Sequence, residues 1–140
     1  MNSLHVVKAS IEKANVNECA WLVNETNKDG NTPLHLTKDS ENVEIARFLL
    51  ENGAALDVKN QNENTPLHLA TLSNNLHIVQ LLIEYGADIE ALNESENTPL
   101  HLAIEMNYFE IFEVLVANEA NIKKSRKRDG NTPLWYTQNE

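Results

Sequence analysis

The hexapeptide Thr65-Pro66-Leu67-His68-Leu69-Ala70 limits what this chain can fold into more than any other feature, because the chain repeats it at a near-constant interval. It recurs as Thr32-Pro33-Leu34-His35-Leu36-Thr37 and Thr98-Pro99-Leu100-His101-Leu102-Ala103, and in altered form as Thr132-Pro133-Leu134-Trp135-Tyr136-Thr137. The intervals between the threonines are 33, 33 and 34 residues. A period of that length marks a stack of similar helical units that bury their faces on one another. The hexapeptide also has a local meaning. Threonine is a good helix N-cap, its hydroxyl accepting from an amide that has no intrahelical partner, and proline suits the first helical position, where no donor is needed. Each copy is therefore expected to start a helix.

These residues resemble the ankyrin repeat family, whose hallmark is Thr-Pro-Leu-His-x-Ala in a 33-residue unit of a β-turn and two antiparallel helices. The resemblance spans roughly residues 27 to 137. It implies an all-α solenoid of stacked helix-turn-helix pairs joined by β-hairpin-like turns, with residues 1–140 forming a single domain. Residues 1–26 lack the hexapeptide but carry apolar positions at helical spacing in two short blocks, Leu4, Val7, Ile11 and then Val16, Cys19, Ala20, Val23, and are expected to form a divergent capping unit. Full units are expected at 27–59, 60–92 and 93–126, and a partial one at 127–140. In the partial unit Trp135 and Tyr136 either form a lid over the third unit or belong to an array cut short.

The second helix of each unit is read from its apolar spacing: Val43, Ala46, Leu49 and Leu50; then Leu76, Val79, Leu82 and Ile83; then Phe109, Phe112, Leu115 and Val116. Gly53 and Gly86 sit where a helix C-terminus takes a left-handed residue. Glu119 holds that position in the third unit, at a cost on the order of 1–2 kcal/mol if the left-handed conformation is kept, so that unit is expected to be the least stable complete one. The turn glycines Gly30 and Gly130 are replaced by Glu63 and Glu96, and those two turns are expected to relax to a less strained form. At the helix–helix connection Asn74 and Asn107 tolerate left-handed geometry, whereas the first unit has Glu41.

With 21 acidic and 11 basic residues the net charge is −10, which disfavours nucleic acid and favours a protein partner with a basic or mixed apolar-basic surface. The single Cys19 excludes a disulfide framework, pointing to a reducing, intracellular and cytoplasmic setting. No segment suggests a signal peptide or a membrane span. Asparagine is abundant, 20 of 140, and is read at this point as genome composition bias.

Chemistry finds little support. His35, His68 and His101 recur with the repeat, so equivalent copies stand one unit apart instead of converging on a metal; in the resembled family this histidine bonds locally between neighbouring hairpins. The carboxylates are dispersed, Cys19 has no activating partner, and no glycine-rich phosphate loop exists. No catalytic residue, cofactor or metal is expected. One cluster stands out, Lys123-Lys124-Ser125-Arg126-Lys127-Arg128, which is either a localisation or anion patch, with nuclear targeting as the alternative location, or a solvated counterweight to the acidic stack.

The resemblance places function in hairpin tips and in the concave face. By register the tips are Lys28, Asp29 and Asn31; Gln61, Asn62 and Asn64; Glu94, Ser95 and Asn97; and Arg128, Asp129 and Asn131. The concave positions are Asp39 and Ser40, Leu72 and Ser73, and Glu105 and Met106, with Tyr108 nearby. Leu72 and Met106 are expected to be apolar anchors at the middle of a partner site. The expected function is non-catalytic protein–protein recognition. The alternative is a docking array of a longer chain whose catalytic or effector part lies elsewhere, including a microbial or viral host-directed effector. An apolar end around Phe109, Phe112 and Leu115 leaves monomer and weak dimer both open.

Overall fold

The computed structural model describes residues 22–41 and 43–124. The expected capping unit up to Trp21, and the residues from Ser125 onward, including Arg126, Lys127, Arg128, Asp129, Asn131, Trp135 and Tyr136, lie outside the described residues. Three helix pairs follow one another: α1 (Pro33–Leu36) with α2 (Glu44–Glu51), α3 (Pro66–Leu72) with α4 (Leu76–Glu84), and α5 (Pro99–Glu105) with α6 (Phe109–Ala117). No strand occurs among the described residues. The first helices pack in series, α1 on α3 and α3 on α5, and α4 packs on α6. This is an all-α solenoid.

Each hexapeptide starts its helix through the same reciprocal cap. The Thr65 hydroxyl accepts from the His68 amide while the Thr65 amide donates 3.1 Å to His68 Nδ1; Thr32 with His35 and Thr98 with His101 repeat the arrangement. The histidine thus supplies the returning acceptor that a Glu or Gln supplies in the usual capping box. Proline follows at the first position of each helix.

The core is a column of equivalent residues. Leu34, Leu67 and Leu100 from the first helices and Leu49, Leu82 and Leu115 from the second are all within 1% of full burial. Each such leucine contributes about 1.5–3 kcal/mol relative to an exposed one. The second helices match the apolar register in α2 and α4, but α6 differs: Ile111 and Leu115 are buried, whereas Phe109 and Val116 are exposed, so the expected apolar face of α6 is only partly covered. Leu115 belongs to the core and not to the open end.

The first unit departs from the others. α1 spans a single turn and continues as a 3₁₀ segment, Thr37–Asp39, where α3 and α5 run seven residues. Asn74 and Asn107 adopt φ of 52° and 58° after α3 and α5. In the first unit, which has Glu41 there, the chain leaves through an extended Ser40 with φ −73° and ψ 125°.

The expectation for Glu63 and Glu96 is corrected. Both keep left-handed backbone, φ 57° and 60°, as Gly30 does at 77°. The turn is over-determined from outside the residue: the Asn60 side chain oxygen accepts from the Asn62 and Asn64 amides, each at 3.0 Å, the Asn60 carbonyl accepts from the Glu63 amide at 2.9 Å, and the Asn60 amide donates to the Asn64 carbonyl. Those bonds fix the path, and the glutamate bears a strain of order 1–2 kcal/mol. Glu119 likewise stays left-handed, at φ 68°.

Candidate recognition surface

Asparagine builds the tips. Asn27, Asn60 and Asn93 each accept two backbone amides of their own turn on Oδ1. Their amide groups reach back along the stack, Asn60 Nδ2 donating 2.8 Å to Asn31 Oδ1 and Asn93 Nδ2 donating 2.9 Å to Asn64 Oδ1. Backbone bonds run the same way, from the Gln61 amide to the Asp29 carbonyl and from the Glu94 amide to the Asn62 carbonyl, each at 3.0 Å. Beneath them His35 Nε2 lies 2.9 Å from the Asn64 carbonyl and His68 Nε2 lies 2.9 Å from the Asn97 carbonyl. A carbonyl only accepts, so Nε2 carries the proton and Nδ1 is free to accept from the threonine amide. Composition bias is therefore not needed to explain these asparagines. The spacing Asn-x₃-Asn at 27–31, 60–64 and 93–97 was the available signal.

This geometry sorts the expected tip residues. Lys28, Asp29, Gln61, Asn62, Glu94 and Ser95 are exposed, and of these Gln61 is bonded back to the preceding tip, its side-chain amide donating to the Lys28 carbonyl. Asn31, Asn64 and Asn97 are less open to solvent: Asn64 and Asn97 are 8% and 6% exposed, and Asn31 is half-buried beneath its tip. They join one turn to the next and leave the set of accessible contact residues. Glu63, exposed beside Asn62, joins that set in their place.

Of the concave residues, Asp39, Glu105 and Met106 are exposed, Met106 at 46%. Ser40, Leu72 and Ser73 are half-buried, and Tyr108 packs against the core at the N-cap of α6. Leu72 is thus less exposed than its register suggested.

Asp39, Ser40 and Ser73 converge in a groove of ≈ 440 Å³ at the helix–helix connections, which Lys38, Glu41, Asn75 and His77 also line. Asn75 sets its floor. Its amide donates 2.9 Å to both the Lys38 and Ser40 carbonyls, and its oxygen caps α4 at the Ile78 amide. Lys38 Nζ lies 3.0 Å from Asp39 Oδ2, and this hydrogen bond holds the Asp39 carboxyl below its ordinary range. The pair sits in solvent, where such bridges contribute little. The sequence had no signal for this groove, which requires two connections to meet.

In the basic run, Lys123 is exposed, and Lys124 is committed to the neighbouring turn, donating 2.8 Å to the Glu90 carbonyl with the Glu90 carboxylate 3.5 Å away. Among the described residues no group of three or more His, Cys, Asp or Glu is arranged to hold a metal, and no helix is long and apolar enough to cross a membrane.

A family model described as ankyrin repeats, in three copies, matches residues 2–93 and 38–127. A search of curated proteins found no match.

Proposed function

We propose that this chain, which belongs to the ankyrin repeat family, is a non-catalytic recognition module that binds a protein partner through its hairpin tips and concave face. Ankyrin repeats are in general protein–protein interaction modules, and the finer reading rests on one observation. The tips are braced from turn to turn by backbone and asparagine bonds and by the Gln61 side-chain amide, which donates to the Lys28 carbonyl, yet Lys28, Asp29, Asn62, Glu63, Glu94 and Ser95 are all exposed on that frame. A frame ordered before binding spares the entropic cost of ordering loops on contact, which is how a modest polar surface reaches useful affinity. Asp29, Glu63 and Glu94 give it an acidic cast suited to a basic or mixed apolar-basic partner, and Met106 supplies an exposed apolar contact on the concave side.

The test compares affinity capture by the wild-type chain and by a folded Met106→Arg/Glu94→Lys variant, with Gln80→Ala, at an exposed position of α4 away from the groove, as a control. A protein enriched by the wild type and the control but lost from the variant supports the reading. Identical capture by all three refutes it.

A further inference from the structure

The outer helices repeat one set of stack-facing positions. In register, Val43, Ala46 and Leu50 at α2 and Leu76, Val79 and Ile83 at α4 correspond to Phe109, Phe112 and Val116 at α6. In the first two units all six are buried or half-buried. On α6, Phe109 is 66% exposed and Val116 37%, while Phe112 is half-buried with its ring centroid 6.2 Å from that of Phe109. Aromatic surface gains little from water, and a contiguous apolar stripe of this kind marks a contact surface. The fold itself shows what suits such a stripe: α4 packs against α6, the next outer helix.

The rim selects the chemistry. Glu110, Glu113 and Glu119 are exposed around the stripe, and no lysine or arginine occurs between Leu102 and Ile122. We propose that this face docks an amphipathic helix of a partner protein, apolar at positions i, i+3 and i+7 and flanked by lysine or arginine, laid on α6 as α6 lies on α4. A second copy of this chain fits less well, since isologous pairing of the stripe would set the three glutamates against their own equivalents. The stripe is separate from the tips, and at Glu110 its rim borders the groove that Asp39, Ser40 and Ser73 line.

The experiment uses the full chain and two synthetic helical peptides of about 18 residues with the same leucine stripe, one flanked by lysines and one by glutamates, with binding read by fluorescence anisotropy. The lysine peptide should bind at least about tenfold more tightly than the glutamate peptide, with affinity falling as salt rises. Phe109→Asp, at an exposed position, should weaken it about tenfold, and Glu110→Lys/Glu113→Lys, which leaves the apolar stripe intact, should reverse the preference between peptides. Equal binding of both peptides, absence of binding, or indifference to Phe109→Asp overturns the proposal. So does a wild-type dimer in light scattering that Phe109→Asp dissociates, which assigns the stripe to a second copy. A shift of Trp135 emission on Phe109→Asp in a Trp21→Phe chain also overturns it, because the chain's own C-terminal residues would then occupy the stripe.

Discussion

Lowering the pH from 7 to 5 should destabilise this protein by about 2 kcal/mol through His68 alone. The ring is fully buried, and that burial pushes its pKa from 6.5 down to about 4, against an opposing effect from the carbonyls of Asn97 and Ala91. The geometry gives the same direction. Nε2 donates to the Asn97 carbonyl and Nδ1 accepts from the Thr65 amide at 3.1 Å, so a second proton has only Nδ1 to go to and breaks the cap. The folded state therefore binds fewer protons than the unfolded state between about pH 4 and 6.5. The contribution is fully present above the ordinary value of 6.5, is lost as the pH falls from there toward about 4, and does not change further below. Over the whole window it amounts to about 3 kcal/mol, of which some 2 kcal/mol is gone by pH 5. His35 is lowered in the same direction for the same first cause, burial, and adds to the effect. Carboxylates titrate in the lower part of this range, so the assay is a double difference: denaturant unfolding of the wild type and His68→Gln at pH 7 and 5, followed by circular dichroism. The wild type should lose about 2 kcal/mol more than the variant. Where His68→Gln is too unstable to measure, the ring titration by NMR in the wild type decides. An equal loss in both proteins, or a folded-state His68 titrating near 6.5, refutes the reasoning.

Glu119→Gly should stabilise the third unit by about 1 kcal/mol, since Gly53 and Gly86 hold the equivalent left-handed site and the glutamate bears the strain; urea unfolding measures it, and no gain would mean the strain is relieved elsewhere. Gly30→Ala should cost about 2 kcal/mol in the same assay: besides φ 77°, its added Cβ would lie 3.1 Å from the Gln61 amide nitrogen and 3.2 Å from Asn60 Cα, whereas Gly53 and Gly86 have open space there. Asn93→Ala removes the one oxygen that accepts from the Ser95 and Asn97 amides, together with the bond to Asn64, and should cost about 2–3 kcal/mol while raising amide exchange in residues 93–97 before that of α3. Thr65→Ala should cost about 1 kcal/mol of thermal or denaturant stability by removing the α3 cap.

How far the sequence reached can be judged residue by residue. The Thr-Pro-Leu-His copies gave helix starts, unit length and stacking order, because capping and period are local properties that survive without tertiary context. The local bonding role of His35 and His68 came only from the family resemblance, since it needs the neighbouring turn as partner. Leu72 shows where register runs out: it names the face of a helix, but how much of a side chain remains in water depends on the depth at which the next helix packs.

The sequence by itself determined a stack of helical units and an acidic balance of charge, since these follow from period, caps and composition, and its resemblance to a family hallmark supplied the ankyrin form of the unit. Only the tertiary structure decided the rest. It showed that Glu63 and Glu96 hold left-handed turns, because bonds from Asn60 and Asn93 and from adjacent turns outweigh the local preference of a residue with a Cβ. Asn64 and Asn97 proved to be joints between tips, because their partners lie about one unit away in the chain. Phe109 and Val116, apolar residues at positions that face the core in preceding units, stand in water, because the burial of a repeat's face is set by its neighbour and not by its own sequence.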